Sequence, residues 1–203
     1  MTTEQMVMEE ETVQTDQLIV LEIGPGDSPK AVLSWPEAIV ETMDADAQYN
    51  PTYECDARTI PEELLGKYDH VLASHVLEHF PWFDTIAVLT NWRGLLKPQG
   101  RLHVVVPSLE WVAEQILAEH PSKAVLPHLH AGITTPWDVH LASFTMRHLR
   151  ASFENAGFAV VRARTGDYPI RVGADSEGQD IIEVAQQHYA CGVDRERYLG
   201  ISN

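Results

Sequence analysis

Five short apolar runs in the first half of the chain constrain its fold more than any other feature: LIVLEI (18–23), AIVETM (38–43), TYEC (52–55), HVLAS (70–74) and LHVVV (102–106). Each is followed by turn-forming residues, and most lack the apolar–polar alternation of a strand with one wet face. Strands covered on both faces read this way, which points to a parallel sheet. Between the last two runs, residues 84–97 place Ile86, Leu89, Trp92 or Arg93, and Leu96 on one helical stripe, stopped by Pro98 to Gly100. This is a β-α-β unit. Further on, Thr145 reads as the N-cap of a helix with Met146, Leu149 and Phe153 on one face and Gly157 as its stop. AVVRART (159–165) and DIIEVAQQ (180–187) are two more strand-like runs, and their Gly- and Asp-containing connection can turn the chain back as a hairpin. The pattern predicts an α/β sandwich with an antiparallel pair at its C-terminal end.

At 203 residues the chain suits one domain. Residues 1–17 are polar and acidic, cannot bury enough apolar surface to offset the entropy of ordering, and read as a tail. The domain then spans 18–187, with a C-terminal extension over 188–203. The tail lacks the basic start of a signal peptide, and no apolar run nears membrane-spanning length. Cys55 and Cys191 lie far apart without CxxC spacing, which fits a reducing, cytoplasmic setting. A formal charge of −16, with Lys and Arg scattered, disfavours nucleic acid as a partner.

The first apolar run ends in LEIGPGDS. Gly24 and Gly26 lack a Cβ, so they can take positive φ and let a ligand touch the backbone at the carboxyl end of a strand. A dinucleotide fingerprint, GxGxxG, would need a third glycine where Pro29 stands, which counts against a nicotinamide oxidoreductase. A plain strand-to-loop turn is the alternative. Asp44 closes the second run, where a carboxylate can accept hydrogen bonds from both ribose hydroxyls, and Asp56 closes the third, within reach of an adenine amino group.

In this order the segments LEIGPGD, ETMDAD, CDAR, YDHVLASHVLEHF and LLKPQGRLHVVVPS resemble the successive motifs of class I S-adenosylmethionine-dependent methyltransferases. The likeness covers about Leu18 to Pro169 and is nearest to a small branch that also carries a DxH before a Phe, here Asp138, His140 and Phe144. It implies a Rossmann-like, doubly wound, mostly parallel sheet with an antiparallel C-terminal strand pair, and S-adenosyl-L-methionine as cofactor. It also implies that Gly24, Pro25 and Gly26 approach the methionine portion and that Glu22 supports the turn. Asp44 would bind ribose, Asp56 and the backbone of Ala57 adenine, and Ser74 would lie near the amino-acid end. Members of that branch suggest a carbohydrate-like acceptor. One departure stands out, since the connection after Asp44 is too short for a full helix.

Two histidine clusters remain. His75, Glu78 and His79 spell the HxxEH of inverted zinc proteases, but that site needs a helix and a third ligand, whereas this motif starts at the end of a buried strand. No metal is assigned on this pattern. The segment PHLHAGITTPWDVHLASF holds His128, His130, Trp137, Asp138 and His140 and reads as a loop at the carboxyl edge of the sheet. If the acceptor is a hydroxyl, the candidate bases are His75, or His140 held by Asp138. A binding module that keeps the cofactor cradle without the chemistry is the second reading, and a zinc hydrolase the most distant.

Overall fold

A computed structural model of the chain describes residues 17–119, 123–165 and 179–186. The acidic segment up to residue 16, the connection 166–178 and the extension 188–203 lie outside the described residues. The strands are β1 (Ile19–Ile23), β2 (Ile39–Asp44), β3 (Tyr53–Glu54), β4 (Tyr68–Ser74), β5 (Leu96–Pro107), β6 (Phe158–Thr165) and β7 (Gln179–Gln186). They form one sheet in the order β3-β2-β1-β4-β5-β7-β6. The first five run parallel. β7 lies between β5 and β6 and is antiparallel to both.

The chain moves outward from β1 to β3 and then crosses back to set β4 on the other side of β1. Strand order reverses there, so the carboxyl ends of β1 and β4 open a crevice between their following loops. The larger core packs on one face of the sheet, under α2 (Thr85–Gly94) and α5 (Met146–Asn155), which bury Leu89, Trp92, Leu149 and Phe153. Thr145 caps α5 as expected, its hydroxyl accepting from His148 N at 3.2 Å. The other face is thinner. There α1 (Ala31–Ser34) packs Ala31 on Val20 and Leu72 beside Trp35. Trp35 stacks on His70 with centroids 5.0 Å apart and meets His103 edge-on at 5.1 Å. Burial, reinforced by the charges of His70 and Arg101, pushes the His103 imidazole down to about 3.

Three expectations are corrected. The β-α-β helix ends at Gly94 rather than Lys97, because Leu95 and Leu96 are drawn into the core and Leu95 O accepts from the amides of Lys67 and Tyr68. Pro98 to Gly100 therefore lie within β5, and a Cβ on Gly100 would come within 2.9 Å of Lys97 O and Tyr68 O. On α2 it is Val88, not Ile86, that completes the buried stripe; Ile86 is 44% exposed. The segment expected as a loop after β5 begins as a short helix, α4 (Val125–His130), which follows α3 (Leu109–Leu117).

Candidate active site

The bend after β1 is shaped by two close approaches. Gly24 and Gly26 take φ of +62° and +57°. Gly24 N donates to Met43 O at 2.7 Å, tying the bend to β2. A Cβ on Gly24 would sit 2.6 Å from Val76 Cγ2, whereas one on Gly26 would meet nothing within 4 Å and would project into open space. Behind the bend, the buried Glu22 carboxylate accepts from Lys30 N (2.8 and 2.9 Å) and Ala31 N (2.7 Å), closing the loop on α1.

Asp44 ends β2 with Oδ2 accepting from Gly26 N at 3.2 Å and Oδ1 from Asp46 N at 3.0 Å. Asp46 in turn accepts from Gln48 N and caps a single 3-10 turn, Ala47–Tyr49, in place of a full helix. The turn brings Tyr49 to the cleft wall, a contact that sequence reasoning missed. Asp56 is met by Arg58 Nε at 3.0 Å from both carboxylate oxygens, and this hydrogen bonding holds its carboxyl below the usual range. Ala57 O accepts from the buried Trp92 Nε1 at 2.9 Å, fixing this loop to α2.

A cleft of about 460 Å³ is lined by Gly24, Gly26, Asp44, Asp56 and Ala57 together with His75, His79, Trp137 and Asp138. Glu22, Pro25, Ser74 and His140 lie outside its lining. Ser74 is buried at the end of β4, directly before the two cleft residues His75 and Val76.

His75 takes φ of +59°, a left-handed conformation uncommon outside glycine, while its amide donates to Val105 O at 2.9 Å and prolongs the β4–β5 pairing. The following residues form a 3-10 turn, Leu77–His79, rather than a helix. His75 Nδ1 lies 3.1 Å from Oε1 of Glu78, a residue only 1% exposed. Burial raises the Glu78 carboxyl, but the His75 hydrogen bond and the charges of His75 and His79 outweigh it and hold the group below the usual carboxylate range. His79 Nδ1 donates to Val139 O at 3.1 Å. The peptide carbonyl of Glu78 accepts from Leu141 N (2.8 Å) and Ala142 N (3.0 Å), so the loop after α4 is fastened to this turn.

The expected pairing of Asp138 with His140 is corrected. Asp138 Oδ2 accepts from Thr134 N (3.0 Å) and Thr134 Oγ1 (2.7 Å), and Oδ1 from Gly132 N (3.3 Å). Its carboxylate closes its own loop and is held below the usual range by Thr134. His140 instead donates from Nδ1 to His128 O at 3.0 Å, and its Nε2 lies 3.9 Å from Glu78 Oε1. Its ring meets His79 edge-on at 4.9 Å, and burial lowers its pKa. Sequence reasoning noted Glu78 but left it out of the candidate catalytic residues. The HxxEH spacing was the available signal, yet which distant histidine would join it depends on the fold.

Residues 8–163, more than half of the chain, match the family model for a methyltransferase domain. No protein of curated function matches the sequence. Among solved structures, the chain is similar to an S-adenosylmethionine-dependent methyltransferase of Methanosarcina mazei, at 15% identity and TM-score 0.60 over 84% of this chain and 92% of that one. It is also similar to the Burkholderia thailandensis 1,6-didemethyltoxoflavin-N1-methyltransferase, solved with 1,6-didemethyltoxoflavin and S-adenosylhomocysteine, at 15% identity and TM-score 0.57 over 84% and 72%. A 16S rRNA (adenine(1408)-N(1))-methyltransferase from Catenulisporales acidiphilia follows at 16% identity and TM-score 0.55 over 83% and 87%. At such identities these likenesses speak for the fold.

Proposed function

The chain belongs to the methyltransferase-domain family and is a class I methyltransferase that uses S-adenosylmethionine; on that premise we propose that it methylates a hydroxyl of a small or carbohydrate-like acceptor in the cytoplasm. One observation carries the cofactor half of this reading: the bend at Gly24 and Gly26 and the carboxylates of Asp44 and Asp56, from three neighbouring strand ends, share one cleft. The residues present fit the cofactor. Gly26 leaves open space beside the bend, and Gly24 admits no side chain. Asp44 keeps lone pairs for both ribose hydroxyls, and the Asp56 carboxylate and Ala57 backbone receive adenine. Ser74, Pro25 and Glu22 act from behind, setting the bend at the methionine end.

When bound, S-adenosylmethionine supplies an electrophilic methyl carbon whose bond to sulfur breaks as the new bond to oxygen forms, the electron pair leaving with sulfur. The chain's own task is to align the acceptor and take its proton. His75 lines the cleft beside Val76 and is oriented by Glu78, so it is the base; His140 faces Glu78 rather than the cleft. Asp138 shapes the acceptor wall through Thr134. The half-exposed Trp137 ring, beside Thr134 and Thr135, offers an apolar face rimmed by hydroxyls, which suits a polyhydroxyl ring. The charge of −16 repels a phosphate backbone.

Calorimetry with S-adenosylmethionine and S-adenosylhomocysteine tests the cofactor half, with one equivalent of each expected to bind. Binding of NAD in their place would overturn it. A panel of small alcohols and saccharides, read by S-adenosylhomocysteine release, tests the acceptor half. Methyl transfer to amines alone would refute O-methylation.

A further inference from the structure

Glu78, His79 and His140 each bring one ligand atom to within 4.8 Å of the others. Proximity is joined by two further features. Both imidazoles hold Nδ1 on a backbone carbonyl, His79 on Val139 O at 3.1 Å and His140 on His128 O at 3.0 Å. A carbonyl can only accept, so each Nδ1 carries a proton, and Nε2 is the nitrogen left to offer a lone pair. This is the outer-shell arrangement by which proteins present Nε2 to a metal. The second feature is Glu78 itself: the residue is 1% exposed, and its Oε2 has no hydrogen-bond partner. A buried carboxyl oxygen left without a partner is costly; the other oxygen, Oε1, is met by His75 Nδ1, and His140 Nε2 stands 3.9 Å from it, beyond hydrogen-bond range.

We propose that Glu78, His79 and His140 form a binding site for a divalent transition-metal ion of the zinc class. Two imidazole nitrogens and one carboxylate match that class, whereas magnesium and calcium favour all-oxygen sets. The HxxEH spacing thus serves a metal without the protease's helix. A 3-10 turn supplies Glu78 and His79, and the loop fastened to the Glu78 carbonyl supplies His140. Three protein ligands leave coordination positions open, and His79 lines the cleft beside His75. An acceptor oxygen bound there would have its hydroxyl acidified, and His75 would take its proton as the methyl carbon arrives. That last role rests on the methyltransferase reading; the metal site does not.

The test uses the full chain, stripped with a chelator and titrated with Co²⁺ alone, read by visible absorption. One equivalent should give a saturating band, and Glu78→Gln, His79→Gln and His140→Gln should each weaken binding at least tenfold, while exposed His148→Gln leaves it unchanged. A band retained by all three variants, or no band at one equivalent, overturns the site. A second measurement needs no variant: on adding one equivalent of Zn²⁺ to ¹⁵N-histidine-labelled protein, two Nε2 resonances should shift while their Nδ1 stay protonated. Shifts at other histidines, or none, would also refute it. S-adenosylhomocysteine binding, measured in parallel by calorimetry, reports separately on the cofactor reading.

Discussion

Gly24, Gly26, Asp44 and Asp56, the proposed donor end of the cleft, follow the carboxyl ends of β1, β2 and β3, and their positions are set by where adjacent parallel strands stop. At the proposed acceptor end, His79 meets Val139 across 60 residues of chain, and the Glu78 carbonyl holds Leu141 and Ala142. One end is set by the sheet, the other by a loop fastened to a turn. The difference implies that cofactor affinity and acceptor chemistry respond to separate substitutions.

The largest expected effect breaks the acceptor end alone. His75→Ala should lower kcat roughly 10²- to 10³-fold, the usual range for a lost general base, with S-adenosylhomocysteine affinity within twofold of wild type by calorimetry. An equal fall in affinity would mean that the two ends are not separable. Gly24→Ala breaks the donor end instead. The added Cβ meets Val76 at 2.6 Å in a left-handed conformation, so affinity for S-adenosylhomocysteine should drop about 30-fold, roughly 2 kcal/mol. Asp44→Asn sharpens the same end, with a loss of about tenfold, ~1.4 kcal/mol, measured likewise.

The smallest effect belongs to neither end. The neutral His103 ring, pushed down to about 3, cannot take up a proton in the folded state while an unfolded imidazole does so below about 6.5. The folded state therefore binds fewer protons, and stability falls as pH falls. Between pH 6.5 and 5.5 the loss should be about 1 kcal/mol by urea unfolding in chelator, and His103→Leu should flatten that slope.

The same contrast explains what was legible in the sequence. The parallel sheet was readable because strands buried on both faces must be continuously apolar. That the glycine bend, Asp44 and Asp56 come together in one cleft was readable too, because a residue just past a strand sits where that strand stops. Glu22 is as local, its bonds reaching only to Lys30 and Ala31. The acceptor end resisted because its partners are chosen by packing. Asp138 and His140 are near neighbours in sequence, yet Asp138 turns to Thr134 and His140 to His128. Likewise Pro98 and Gly100 look like a helix stop, but the burial of Leu95 and Leu96 ends α2 earlier and carries them into β5.

The fastening of Leu141 and Ala142 to a single peptide oxygen has an evolutionary corollary. Residues 133–137, between α4 and that anchor, can change character without shifting the base of the segment, because the knot is made by main chain and not by any side chain. A lineage could therefore retune which molecule is modified by altering this stretch, while the machinery that delivers the one-carbon unit stays untouched.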